Sequence, residues 1–544
     1  MDIKKLSENL SISEAILSIA AQYPENTAIS YQNRRISYKK LYENILNLAE
    51  ALYTSGIREG DIVLVALPNI PRTVYLLYAL NRIGAVPAFV SPLSAESELE
   101  DYIKKCSAKY IVALDTLYNE FLNVFERTGD KRLILVSIFE EAEIFFARNK
   151  SKAVYWHKFI KARSKNNVFV SPSKPCDTAV ILFSGGTTGR PKAVEITNQN
   201  LNALAKGTGD VCGEDVNGAV MLAVLPVFHG FGLGVCVHTT LYFGGECILV
   251  PRFDAHKIGR IICRRKSLFI AAVPAMLTPL MVTKSMKKAD LSKLRGVFCG
   301  GDCLESQLEN NFDNFLKSHN SNVRIRQGYG LTECGAASCL MPEKSSVKGS
   351  VGIPYPKTLY KIVDHDTCEE LSRGLVGEIC ISGKTVMKGY LNDKPSTDDA
   401  LRIHPDGRRW LHTGDLGYMD DEGYVYFVRR SKRMIVSNGH NVFPSELERI
   451  LSSNPLVEES SAVGVRDSRK SQVAVLFVVL KNPSENPEDL KRALMSDLKS
   501  KISRHALPAE IYFVSEIPKT ALGKVSYGEL EQKAESLYNK NDCR

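Results

Sequence analysis

A short apolar run, Ala179-Val180-Ile181-Leu182-Phe183, leads straight into Ser184-Gly185-Gly186-Thr187-Thr188-Gly189-Arg190-Pro191-Lys192. The run is rich in β-branched residues and bounded by glycine, which predicts a buried strand. A strand that ends in a flexible, hydroxyl-rich turn is suited to holding a polyphosphate. The glycines let backbone N–H groups turn inward as an anion-binding nest, Ser184, Thr187 and Thr188 add hydroxyls, and Lys192 adds a full positive charge. Spacing excludes the P-loop of kinases and GTPases, because that loop ends in Gly-Lys-Ser/Thr and the lysine here follows proline. Nucleotide binding is the first expectation.

Ahead of this loop, residues 1–170 alternate between two periodicities. Ser37-Tyr38 to Leu52 reads as an amphipathic helix, Asp61 to Ala66 as a strand, and Arg72 to Ile83 as a second helix. Such alternation predicts a parallel sheet covered by helices. Seven Lys or Arg residues between Arg148 and Lys165, mixed with Ser and Asn, predict a solvated connector before the phosphate-loop strand.

A chain of 544 residues with 44% hydrophobic content is expected to form more than one domain around a large core. No apolar run approaches the roughly 20 residues of a membrane span. The start, Met1-Asp2-Ile3-Lys4-Lys5, lacks the apolar region of a signal peptide, so a cytoplasmic protein is expected. Thirteen cysteines, an odd number without regular spacing, fit reduced thiols better than a disulfide framework. The close pairs Cys299/Cys303 and Cys334/Cys339 lack the two-residue spacing of a zinc ribbon. A net charge of +9 favours anionic partners such as ATP, CoA, nucleic acid or a membrane surface, and does not choose among them.

Four further strings carry chemistry. Val224 to Gly232 sets His229 in an apolar, glycine-rich context, where a lone histidine is usually a core residue. Val297 to Asp302 reads as a strand ending in a glycine turn that admits a flat ring against the backbone. In Gln327-Gly328-Tyr329-Gly330-Leu331-Thr332-Glu333, Tyr329 offers a stacking face, Thr332 a hydroxyl, and Glu333 a hard carboxylate of the kind Mg²⁺ prefers. In Trp410 to Gly417, Asp415 follows a Thr-Gly turn, where a carboxylate can accept both hydroxyls of a ribose, although aspartate is also an ordinary hairpin-turn residue. Ser445 and Glu448 have capping-box spacing after Pro444, which predicts a helix start. Near the end, Pro518 to Lys524 reads as a flexible loop carrying a lysine able to deliver a point charge.

Over nearly the whole chain, and in the same order, these strings resemble the adenylate-forming enzymes, the family of acyl-CoA synthetases, luciferases and peptide-synthetase adenylation domains. The resemblance implies an α/β fold. A large N-terminal domain over 1–429, of helix-covered β-sheets plus a β-barrel-like subdomain, would precede a hinge at 430–432 and a small mobile α+β domain over 433–544. It implies that Ser184, Gly185, Gly186, Thr187, Thr188, Gly189, Lys192, Gly301, Asp302, Gly328, Tyr329, Gly330, Thr332, Asp415, Arg430 and Lys524 bind ATP or AMP. Thr188 and Glu333 would hold Mg²⁺, and with Lys524 form the catalytic set. His229, Phe231, Gly301 and Gly335 would line the acyl site, Lys432 would be the hinge, and Ser437, Asn438 and Gly439 would flank a CoA tunnel. Asn438 stands where the family often has glycine. Pro251 to Asp254 and Met387 to Tyr390 resemble fatty-acyl-CoA synthetases, so the implied reaction joins a medium- or long-chain fatty acid to CoA using ATP, with an aryl acid as runner-up. A carrier protein as thiol acceptor and an idle nucleotide-binding homologue are the rivals. A monomer or homodimer without nucleic-acid partner or integral membrane segment is expected.

Overall fold

The alternation of the first half becomes, in a computed structural model, two helix-covered sheets. The structure describes residues 8–129, 131–138, 153–163, 173–185, 191–266, 268–302, 304, 306–364, 367–430, 435–438, 440–467, 469–481, 486–518, 525 and 527–542. The chain divides into two compact units. One comprises 1–92, 100–183 and 193–429, and the other 93–99, 184–192 and 430–544. No helix among the described residues is long and apolar enough to cross a membrane.

In the larger unit, the helix Tyr38–Thr54 starts where Ser37 accepts from the Lys40 amide, and it buries Tyr38, Leu41, Ile45, Leu48, Ala49 and Leu52 on one face. The next helix, Pro71–Arg82, begins with proline at its first turn and is buried from Pro71 through Asn81. Its polar groups are therefore paired inside the protein: Thr73 Oγ1 donates to the Pro68 carbonyl and Asn81 Nδ2 to Asn198 Oδ1. An eight-stranded sheet carries Thr178–Gly185 between Pro191–Thr197 and Val86–Phe89, followed by Ile62–Ala66, Tyr110–Leu114, Arg132–Val136 and Ala153–Tyr155. A nine-stranded sheet includes Thr27–Tyr31, Glu246–Leu249, Val220–Ala223, Leu268–Ala272, Leu294–Cys299 and Ile325–Tyr329 as neighbours. The barrel-like part is a five-stranded sheet in which Gly377–Ser382 lies between Leu359–Val363 and Arg409–Met419, and no barrel closes among the described residues.

The smaller unit contains strands Ile435–Ser437, His440–Val442, Val457–Asp467, Ser471–Leu480 and Glu510–Phe513. Along Ser471–Leu480, Ala474, Leu476 and Val478 enter one core cluster, while Val473, Val475 and Phe477 enter another with Leu530 and Ala534 of the helix Tyr527–Asp542. Both faces of this strand are covered, which is why its sequence is continuously apolar.

Three local expectations need correcting. The basic stretch before the phosphate-loop strand holds a strand, Ala153–Tyr155, and a helix, Trp156–Lys161, with Tyr155, Trp156 and Phe159 buried; the aromatic residues anchor what the lysine count made look solvated. The expected helix does start here, as Pro444–Ser452, but without the side-chain cap that the spacing suggested: Pro444, lacking an N–H, occupies the first turn, and Glu448 accepts from the Ala462 amide. Asp415 lies in no turn, but inside the eleven-residue strand Arg409–Met419.

Candidate active site

In the larger unit, the string Gln327–Glu333 runs off the end of the strand Ile325–Tyr329 into a short 3₁₀ turn, Thr332–Cys334, closed by Gly335 at φ +76°. The next residue, Ala336, has φ +148°, a region almost reserved for glycine, so this loop stores strain. The loop folds back on itself at backbone contact: a Cβ on Gly330 would lie 1.8 Å from the Ala336 carbonyl oxygen. Glu333 is half-buried, and Tyr390 donates its hydroxyl to Glu333 Oε1 at 3.0 Å. Burial, and then the Glu333 charge, raise the Tyr390 phenol above its ordinary range, so it stays a donor. The Glu333 carbonyl accepts from the Met387 amide at 2.8 Å, and Arg409 donates to the Met387 carbonyl at 3.1 Å. A half-exposed carboxylate suits a hard divalent cation such as Mg²⁺, which keeps several waters and takes few protein ligands.

Tyr329 and Asp415, 86 positions apart in the chain, meet directly, with the Tyr329 hydroxyl donating to Asp415 Oδ2 at 2.6 Å. Asp415 is 2% and Tyr329 8% exposed. Burial, and then the Asp415 charge, push the Tyr329 phenol well up, keeping it protonated. Nothing in the sequence signalled this use of the hydroxyl, or the roles of Tyr390 and Arg409; Tyr390 stood out only as part of a string shared with fatty-acyl-CoA synthetases.

The residues expected to line an acyl site come from three segments. His229 and Phe231 are half-buried, and Phe231 begins a π-helix, Phe231–Thr239, a rare geometry often found at functional sites. The Phe231 ring lies 3.6 Å from where a Cβ on Gly300 would sit, and a Cβ on Gly230 would lie 3.0 Å from the Gly335 carbonyl oxygen. The structure therefore brings Phe231, the Gly300-Gly301 turn and Gly335 into one neighbourhood. Gly301 itself has φ +80°, which continues the strand end into the turn carrying Asp302. Gly328 and Thr332 lie on the strand and turn that flank Tyr329.

In the smaller unit, Ser184 is buried, Gly185 ends its strand and Lys192 is half-buried in Pro191–Thr197. Ser437 pairs with His440 across a tight connection; Asn438 has φ +52°, and its amide donates to the Lys470 carbonyl at 2.8 Å. Such connections require left-handed residues, and asparagine is one of the few side chains that adopts that region readily, which accounts for Asn438 where glycine is usual. Arg430 ends the strand Val425–Arg430. Gly186, Thr187, Thr188, Gly189, Lys432, Gly439 and Lys524 lie outside the described residues.

The family model for AMP-binding enzymes matches residues 18–391, and that for the AMP-binding enzyme C-terminal domain matches residues 446–524. A long-chain-fatty-acid–CoA ligase of Bacillus subtilis is 28% identical over 535 residues, covering 95% of this chain and 93% of that protein. A probable 4-coumarate–CoA ligase of Dictyostelium discoideum is 31% identical over 492 residues, covering 89% and 87%. A double mutant of the o-succinylbenzoate CoA synthetase from Bacillus subtilis, at 22% identity, shares the fold with a TM-score of 0.79 over 95% of this chain and 98% of that one. Two matched domains in series, and CoA ligases among relatives that align along nearly their full length, make the conclusion plain: the chain belongs to the AMP-binding enzyme family.

Proposed function

We propose that the protein is an ATP-dependent acid–thiol ligase that activates a medium- or long-chain fatty acid as acyl-AMP and passes it to CoA, releasing pyrophosphate and AMP. The observation that carries this reading is the Tyr329–Asp415 pair, which joins two motifs distant in the chain around one buried carboxylate. Asp415 would accept the two ribose hydroxyls, and the Gly300–Asp302 turn with Tyr329 would bound the adenine. Glu333, with Thr188, would hold Mg²⁺, which when bound supplies charge neutralisation on the phosphates. Lys192 and the loop amides would hold phosphates, and Lys524 would stabilise the charge that develops as the substrate carboxylate attacks the α-phosphate. Lys524 would serve only that first step.

The small residues Gly335, Ala336 and Ala337 and the apolar Phe231 support an acyl chain as substrate, as does the Bacillus relative. The 4-coumarate ligase relatives support an aryl acid as the second reading. Pyrophosphate release from Mg·ATP is measured against a panel of fatty and aryl acids, with and without CoA. Release with a fatty acid, and acyl-CoA formation when CoA is present, is the expected outcome. Release with aryl acids alone moves the substrate to the second reading, and release that never yields acyl-CoA moves the acceptor to a carrier protein. No release with any acid overturns the ligase reading.

A further inference from the structure

The strand Arg409–Met419 pairs out of step with Gly377–Ser382. Glu378 faces Leu416 and Cys380 faces His412, so Thr413, Gly414 and Asp415 all stand opposite the single residue Ile379. Extra residues in one strand bend it and re-aim a side chain. Here the bulge needs Gly414 at φ +70° and swings Asp415 onto Tyr329.

A bulge costs its backbone groups their ladder partners, and each must be satisfied in another way. Thr413 Oγ1 donates to the Ile379 carbonyl at 2.7 Å and accepts from the Asp415 amide at 3.1 Å. The Gly414 amide donates to a side chain, Glu378 Oε1, at 2.8 Å. The other oxygen, Oε2, lies 2.9 Å from His412 Nδ1, and His412 Nε2 lies 2.9 Å from His404 Nε2. Glu378, His412 and His404 are 5%, 7% and 6% exposed. A buried carboxylate is tolerated only when hydrogen-bonded, and this one takes a backbone N–H on one oxygen and an imidazole N–H on the other. A carboxylate only accepts, so His412 Nδ1 is the donor to Glu378, and the two Nε2 atoms of His412 and His404 share an N–H···N hydrogen bond. Burial, and then the Lys361 charge, hold the His404 imidazole below its ordinary value, in keeping with a neutral ring.

We propose that Glu378, braced by His412 and His404, is a positioning residue that locks the Thr413–Asp415 bulge so that the Asp415 carboxylate is already aligned for the ribose hydroxyls of ATP. This rests on the reading of Asp415 as the ribose residue. Glu378 touches no substrate; it acts through the Gly414 amide and the bulge.

The test is the preference of the full-length protein for ATP over 2′,3′-dideoxy-ATP, read as two dissociation constants by titration calorimetry. A merely structural defect weakens both nucleotides alike, whereas a misaligned Asp415 weakens only the one with ribose hydroxyls. Glu378→Gln is expected to lower ATP affinity about tenfold, roughly the worth of one well-placed hydrogen bond, and to leave dideoxy-ATP unchanged. His412→Leu is expected to do the same, while His412→Asn, which keeps an N–H near the Nδ1 position, restores most of the preference. Equal weakening of both nucleotides, or full preference retained in Glu378→Gln and His412→Leu, overturns the proposal. Asp415→Asn separates the two claims. If it abolishes the preference the ribose reading stands and the Glu378 result judges the positioning role; if it leaves the preference intact the ribose reading falls and the positioning role with it.

Discussion

Asp415 and Glu333 each accept a tyrosine hydroxyl, at 2.6 Å from Tyr329 and 3.0 Å from Tyr390, yet the two carboxylates live in different media. Asp415 is buried at a bulge whose amides are tied to Thr413 and Glu378, with a histidine pair behind. Glu333 is half-buried on a short turn, held through its own carbonyl by the Met387 amide. The backbone solutions differ as well: the Asp415 side puts glycine at its left-handed position, while the Glu333 side forces Ala336 into φ +148°. On the proposed reading, Asp415 as the ribose carboxylate would gain from being fixed and dry, since its two partners would not change. Glu333 as the metal carboxylate would exchange water for ion, and a half-exposed position leaves room for that exchange.

The largest expected effect is on the buried side. Asp415→Ala should weaken ATP binding about 100-fold, since two hydrogen bonds to a charged group are lost; an effect under threefold breaks the assignment and, with it, the contrast. Next, Tyr329→Phe should destabilise the fold by about 1–3 kcal/mol in urea unfolding, because a buried carboxylate oxygen loses its donor. Tyr390→Phe should cost less than about 1 kcal/mol, because water can reach Glu333. Equal costs would erase the difference between the two media.

The backbone contrast predicts opposite signs. Gly414→Ala, at φ +70°, should destabilise by about 1–2 kcal/mol. Ala336→Gly should be neutral or stabilising by up to about 1 kcal/mol, strain relief being partly offset by the freedom of glycine in the unfolded chain. Destabilisation by Ala336→Gly would show that the alanine side chain, and not its backbone, matters there.

The smallest effect concerns pH. His404 has its folded pKa below the unfolded value of about 6.5, so its contribution to stability is full above that pH and is lost as pH falls, the unfolded chain taking up the proton first. Lys361, His412 and Arg402 around it disfavour the charged form, and Asp406 opposes them. His404→Gln should therefore flatten the stability profile below about pH 6.5 relative to the unsubstituted protein. An unchanged profile would remove acid sensitivity from the Asp415 side.

The residue types of the candidate site were readable before any fold. Tyr329, Glu333 and Asp415 stood out through strings that resemble those of the adenylate-forming enzymes, and the expected helices at Ser37-Tyr38 to Leu52 and Arg72 to Ile83 are found at Tyr38–Thr54 and Pro71–Arg82. The aromatic anchors Tyr155, Trp156 and Phe159 were hidden under a lysine count, because composition averages over residues that face opposite ways.

The amino-acid sequence by itself determined the order of strands and helices, the placement of the glycine-rich turns, and which residue types could meet phosphate, metal and ribose. These are local properties, set by side-chain periodicity and by the few residues that tolerate left-handed backbone. Only the tertiary structure decided that Tyr329 meets Asp415, that Tyr390 meets Glu333, and that Glu378 and two histidines stand behind a bulge. A bulge is a mismatch between two strands, and a buried hydrogen bond is a meeting of groups far apart in the chain. Neither exists until the strands pair, so no single stretch of sequence can carry its signature.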